Sequence, residues 1–165
     1  MLAAADLWQF SLMTYARAGV ANHCLYLQDR WGANINIILW LAWLARQNLQ
    51  IDTQTITRAE TCIANWHESL VEPVRQLRRT LSAQLSAQMA VEIEVERELM
   101  DATYQQLKIT ELHAEQVEQA LLAGLQAGVK SGARSSGTNV VLYLDGLGVP
   151  EADQRRLFDL LGCFS

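Results

Sequence analysis

Residues Asn34 to Arg46 read NINIILWLAWLAR, and the nine from Ile37 to Ala45 are all apolar. A helix that is apolar all round must be enclosed by protein or by lipid. This run is too short for lipid, because a spanning helix needs about 20 apolar residues. It therefore predicts the central helix of an all-α bundle, about 34–46, with the rest of the chain packed around it. Asn34 is placed to cap it, and Arg46, Gln47 and Asn48 return the chain to solvent.

Working toward the N-terminus, Val20, Cys24, Leu27 and Trp31 recur at four, three and four residues, one face of a second helix. Gly32 stops that helix. The two helices form a hairpin whose tip is rich in polar side chains. Before them, Asp6 can cap a first helix over about Leu7–Ala16, with Leu7, Phe10, Met13 or Thr14, and Arg17 on one face. Gly19 ends that helix. The start, MLAAADLWQF, lacks a basic region and a long apolar segment, so it reads as neither signal peptide nor anchor.

Toward the C-terminus, Leu49–Asp52 reads as a short connection and Thr53 or Thr57 as the start of a fourth helix. Thr57 and Glu60 have the spacing of a capping box. Ile56, Ala59, Ile63, Trp66 and Leu70 continue the apolar series, and Val74, Leu77 and Leu81 extend it past Pro73. A proline there predicts a kink or a near-continuous break. Ser82–Gln88 is the weakest helical stretch and a place to turn. Residues 89–123 contain neither Pro nor Gly and predict one long helix. Residues 126–138 are rich in Gly and Ser and predict a flexible loop. Asn139 then caps a short apolar helix, and Pro150 opens a last one over about Glu151–Leu161.

With 165 residues, half of them hydrophobic, the chain fits a single helical domain spanning 1–165. Its net charge of −5, with no dense basic patch, argues against nucleic acid as a partner. The cysteines Cys24, Cys62 and Cys163 are odd in number and show no CxxC pairing, which suits reduced thiols and a cytoplasmic location.

The chain resembles a group of proteobacterial proteins of about this length known only as a domain of unknown function. The residues that carry the likeness are Leu7-Trp8, Phe10, Tyr15 and Gly19-Val20, then Cys24-Leu25, Leu27-Gln28-Asp29 and Gly32. Trp43-Leu44, Trp66, Pro73 with Arg75, Arg78 and Arg79, Glu111-Leu112, Ala114-Glu115 and the Asn139 helix continue it. The chain departs from the group in the acidic Met89–Tyr104 region. The resemblance implies one intact domain and supplies no chemistry.

Two polar clusters are the candidate ligand- or partner-binding residues. Gln28, Asp29, Asn34 and Asn36, with Arg30 among them, crowd the hairpin tip. They either line a polar pocket or satisfy free backbone groups at the turn. Arg75, Arg78 and Arg79 lie near one helix face and either bind an anion or pair inside the protein, with Glu92–Glu98 as the obvious acceptors. Catalytic signatures are missing: no GxSxG elbow, no HExxH, and a Glu111/His113 spacing that splays the side chains by about 200°. Neither a cofactor nor a metal is expected. The first expectation is a non-enzymatic protein–protein interaction module, possibly self-associating as a homo-oligomer, with no membrane insertion. The alternative is a small-molecule binder or enzyme using the two polar clusters.

Overall fold

The computed structural model describes residues 4–87, 94–125, 130–131 and 138–162. The fold is all-α, as the apolar periodicity predicts. Its helices are α1 (Ala4–Tyr15), α2 (Val20–Trp31), α3 (Ile35–Arg46), α4 (Thr53–Trp66), α5 (Glu72–Ala87), α6 (Glu94–Gly124), α7 (Thr138–Gly146) and α8 (Glu151–Leu161). A π-helical turn, His67–Val71, joins α4 to α5. Two short strands, β1 (Leu49–Gln50) and β2 (Lys130–Ser131), pair antiparallel. The chain divides into two compact units: residues up to Cys62 together with those from Gln119 onward, and Ile63–Glu118.

The first unit is built on α3. Every residue from Ile37 to Leu44 is buried, none more than 6% exposed. Helices α1, α2 and α7 and strand β1 pack against it. Leu7, Val20, Leu27, Leu122, Leu144 and Leu157 are fully buried in the same unit. Local chemistry sets the ends of α3. The Asn34 side chain accepts a hydrogen bond from the Ile37 N–H at 3.2 Å, and the Asn34 N–H donates to the Tyr143 hydroxyl at 2.9 Å. Gly32, at φ 68°, closes α2, its N–H donating to the Gln28 carbonyl at 3.0 Å.

Three local expectations are corrected. Leu49–Gln50 is not a bare connection but pairs with Lys130–Ser131, two residues inside the expected loop; 126–129 and 132–137 lie outside the described residues. Asn139 does not cap α7 from outside. It sits within the helix, donating to the Leu49 carbonyl at 2.9 Å and accepting from the Ile51 N–H at 3.2 Å. Helix α4 is capped by Asp52, whose carboxylate accepts from the Thr55 N–H at 2.9 Å and its hydroxyl at 2.7 Å. The Thr57 hydroxyl is spent on the Thr53 carbonyl at 3.2 Å, within the helix.

The second unit comprises the end of α4, the π turn, α5 and α6 up to Glu118. The two long helices run antiparallel: Trp66 and His67 meet Ala114 and Glu118, while Arg78 meets Glu111. The wide turn answers the proline. Pro73 offers no N–H, and its ring would crowd the Ser69 carbonyl in a regular α-turn. Instead the Glu72 N–H reaches the His67 carbonyl, five residues back, and the chain stays helical. The turn also holds one face in phase. Steps of four through Ile63, His67, Val71 and Arg75 would each drift about 40° in an α-helix, and a wider turn takes up that drift. Helix α5 continues through Ser82 to Ala87. The long helix is described from Glu94; its expected start at 89–93 lies outside the described residues.

Candidate functional site

The guanidinium group of Arg75 is the centre of the second unit. Only 7% of its side chain is exposed. It donates to Glu111 at 3.0 Å, to Glu115 at 2.9 Å and, one turn back, to Glu72 at 3.2 Å. Arg78 donates to both oxygens of Glu111, through Nε and through Nη2. Arg79 is exposed. The antiparallel pairing selects the acceptors. It sets Glu111 and Glu115, one turn apart on α6, opposite Arg75 and Arg78, three apart on α5. Among the described side chains the acceptors are thus Glu111 and Glu115 rather than the expected Glu96 or Glu98; Glu92 and the side chain of Glu94 lie outside the described residues.

The cluster polarises its own members. Burial pushes the Glu111 carboxyl up, but hydrogen bonds and charge from Arg78 and Arg75 outweigh it and hold the group below its ordinary value. Glu115 goes the other way: burial raises it by more than the charge and hydrogen bond of Arg75 lower it, and the charges of Glu111 and Glu118 add smaller upward pushes. Beside it, the fully buried Glu118 carboxylate lies 2.7 Å from His67 Nδ1. Trp66 donates its indole N–H to the Ala114 carbonyl at 2.9 Å. The apolar share of this unit is small. Among its described residues the buried hydrophobic side chains are Ile63, Val71 and Ala114, whereas Leu70, Leu77, Leu99, Ile109, Leu112 and Val117 are exposed.

The hairpin-tip residues take different places. Asn34 caps α3. Asn36 is buried and accepts from Gln119 Nε2 at 2.9 Å, while Gln119 Oε1 finds no donor among the described residues. Gln28 is half-buried, and Asp29 and Arg30 are exposed. Two further groupings on this unit were not singled out from sequence. His23, buried, donates through Nε2 to the Asp153 carbonyl at 2.8 Å and stacks on Tyr26, whose hydroxyl donates to the Asp153 carboxylate at 3.1 Å. With Asn22 and Arg156 they border a cleft of about 400 Å³. A larger cavity lies beside α1 and the end of α3. Nothing local announces either grouping, because its members come from opposite ends of the chain.

Burial pushes the Cys24 thiol up to about 12, so it carries almost no thiolate at neutral pH. Among the described residues no set of three or more His, Cys, Asp or Glu side chains is arranged to hold a metal ion. No described helix is long and apolar enough to cross a membrane.

A family model described as a protein of unknown function, DUF2390, matches residues 6–122. The chain belongs to this family. The matched span takes in the apolar hub α3, the arginine–glutamate cluster and the π turn between α4 and α5. No curated protein and no solved structure matches the chain.

Proposed function

We propose that the protein is a non-enzymatic helical interaction module whose partner is a second copy of itself, joined through α5. The observation that carries this reading is a stripe the fold leaves open. Leu70, Val74, Leu77 and Leu81 recur at four, three and four residues, the spacing of a helix-pairing seam. Leu70 is 39% exposed and Leu77 59%, with Val74 and Leu81 half-buried. The stripe lies roughly 100° round the helix from the Arg75–Arg78 face, so the contact with α6 does not consume it.

The charges beside this stripe also suit a second copy. Pro73, Thr80 and Ala87 flank its outer side without a charge among them, so two copies related by a two-fold axis meet without like-charge repulsion. Full burial of a large aliphatic side chain is worth roughly 1.5–3 kcal/mol, and association itself costs several kcal/mol, so the seam supports a weak dimer of about micromolar affinity.

Sedimentation equilibrium from low to high micromolar concentration tests it. The apparent mass rises from 18.5 kDa toward twice that value. Leu77→Glu stays at the monomer mass throughout with an unchanged circular dichroism spectrum, because the site is exposed in the single chain. A wild-type mass of one chain at every concentration overturns the proposal.

A further inference from the structure

The cavity beside α1 has a volume of about 720 Å³, within the usual range for small-molecule sites. It belongs wholly to the unit built on α3. Phe10 and Met13 of α1 and Trp43 of α3 give it an apolar lining, and Met13 is 74% exposed. Leu7 and Thr14 of α1 are buried, whereas Met13, about 100° round the helix from Thr14, is uncovered.

Two guanidinium groups border that lining, and each is placed differently. Arg17 is anchored: its Nη1 donates to the Leu161 carbonyl at 2.6 Å, and Gly162 packs so close that an added Cβ would lie 3.3 Å from it. Arg46 lies over the Phe10 ring, 6.0 Å from its centroid, and no carboxylate of the described residues pairs with it. Asp6 is the acidic residue on the cavity wall, so the wall carries two positive charges against one negative. The ends of α3 and α8 also meet here, and helix C-termini carry partial negative charge that disfavours a dianion more than a monoanion.

We infer that this cavity is a binding site for an amphipathic monocarboxylate. Its apolar body rests on Phe10, Met13 and Trp43, and its carboxylate is met by the guanidinium of Arg46, with Arg17 supplying the second charge. A carboxylate suits guanidinium because both are planar and can form two parallel hydrogen bonds. The site is independent of the α5 stripe and stands whether or not the chain dimerises.

Calorimetric titration of the full chain with sodium decanoate, below its micelle concentration, tests the site. Decanoate binds at one site per chain, while acetate, which lacks the apolar body, and decyltrimethylammonium, which reverses the charge, do not. Arg46→Gln weakens decanoate binding about ten-fold or more, and Arg46→Lys recovers part of the loss. Both variants melt close to wild type, because Arg46 is exposed and makes no ion pair among the described residues, and both sediment like wild type. Absence of decanoate binding overturns the inference. So does equal binding of the ammonium probe, or an Arg46→Gln variant that binds as wild type does.

Discussion

The unit built on α3 and the helix pair of residues 63–118 solve the same packing problem with opposite chemistry. In the first, the central contact is a helix apolar on every side, with Trp40 only 1% exposed at its middle. In the second, the central contact is a guanidinium group held by three carboxylates. Apolar burial is non-directional and sums over area. A buried ion cluster must recover the cost of desolvating its charges before it contributes anything, so it is a weaker source of stability and a stronger constraint on register. The helix pair thus fixes which turn of α5 meets which turn of α6, and leaves its leucines outside.

That contrast can be broken from either side. The largest effect belongs to the apolar hub. Trp40→Ala removes a side chain enclosed on all sides and should cost about 3–5 kcal/mol, measured by urea denaturation. This is a large part of the 5–15 kcal/mol that typically holds a domain. Glu111→Ala comes next. It takes the carboxylate from half-buried Arg78 and one of three from buried Arg75, and should cost roughly 3 kcal/mol. Replacing both partners, Arg75→Met with Glu111→Leu, should cost less than the two single changes added together, because neither member of that pair is then left buried without the other.

The smallest effect is the pH dependence of the cluster. Glu111 sits below its ordinary value of 4.5, so its contribution is fully present above that pH and is lost as pH falls through the folded-state value. Glu115 is raised and has the opposite sign: acid protonates it in the folded chain first, which favours the fold. Urea midpoints below about pH 4.5 should therefore fall more steeply for wild type than for Glu111→Ala.

What could be read from the sequence was local. The all-apolar run of α3, Gly32 at the end of α2, Asn34 as the cap of α3 and Pro150 before α8 each act within a turn of their own position. What could not be read depended on distant pairing. Nothing near Asn139 announces that its amide will bridge Leu49 and Ile51. Asp52 was open to reading, since α4 begins at Thr53, one of its two expected starts, and Asp outranks Thr as a cap. The arginines of α5 were visible as a cluster, but their acceptors required knowing how α6 lies along α5. Glu111 and Glu115, four apart on one helix, carried that signal, matched to Arg75 and Arg78. The π turn could not be anticipated either. Pro73 marked a disturbance, and a kink, a break and a widened turn all satisfy it.

Hydrogen exchange at low micromolar concentration, resolved by mass spectrometry over α3, α5 and α6, compares the two kinds of core in one experiment. Opening free energies follow buried apolar contact, so the α3 amides should exchange slowest and those of α5 and of residues 94–118 markedly faster. Equal or greater protection in α5 and α6 would contradict the account, because a charged centre would then hold its helices as firmly as the apolar hub.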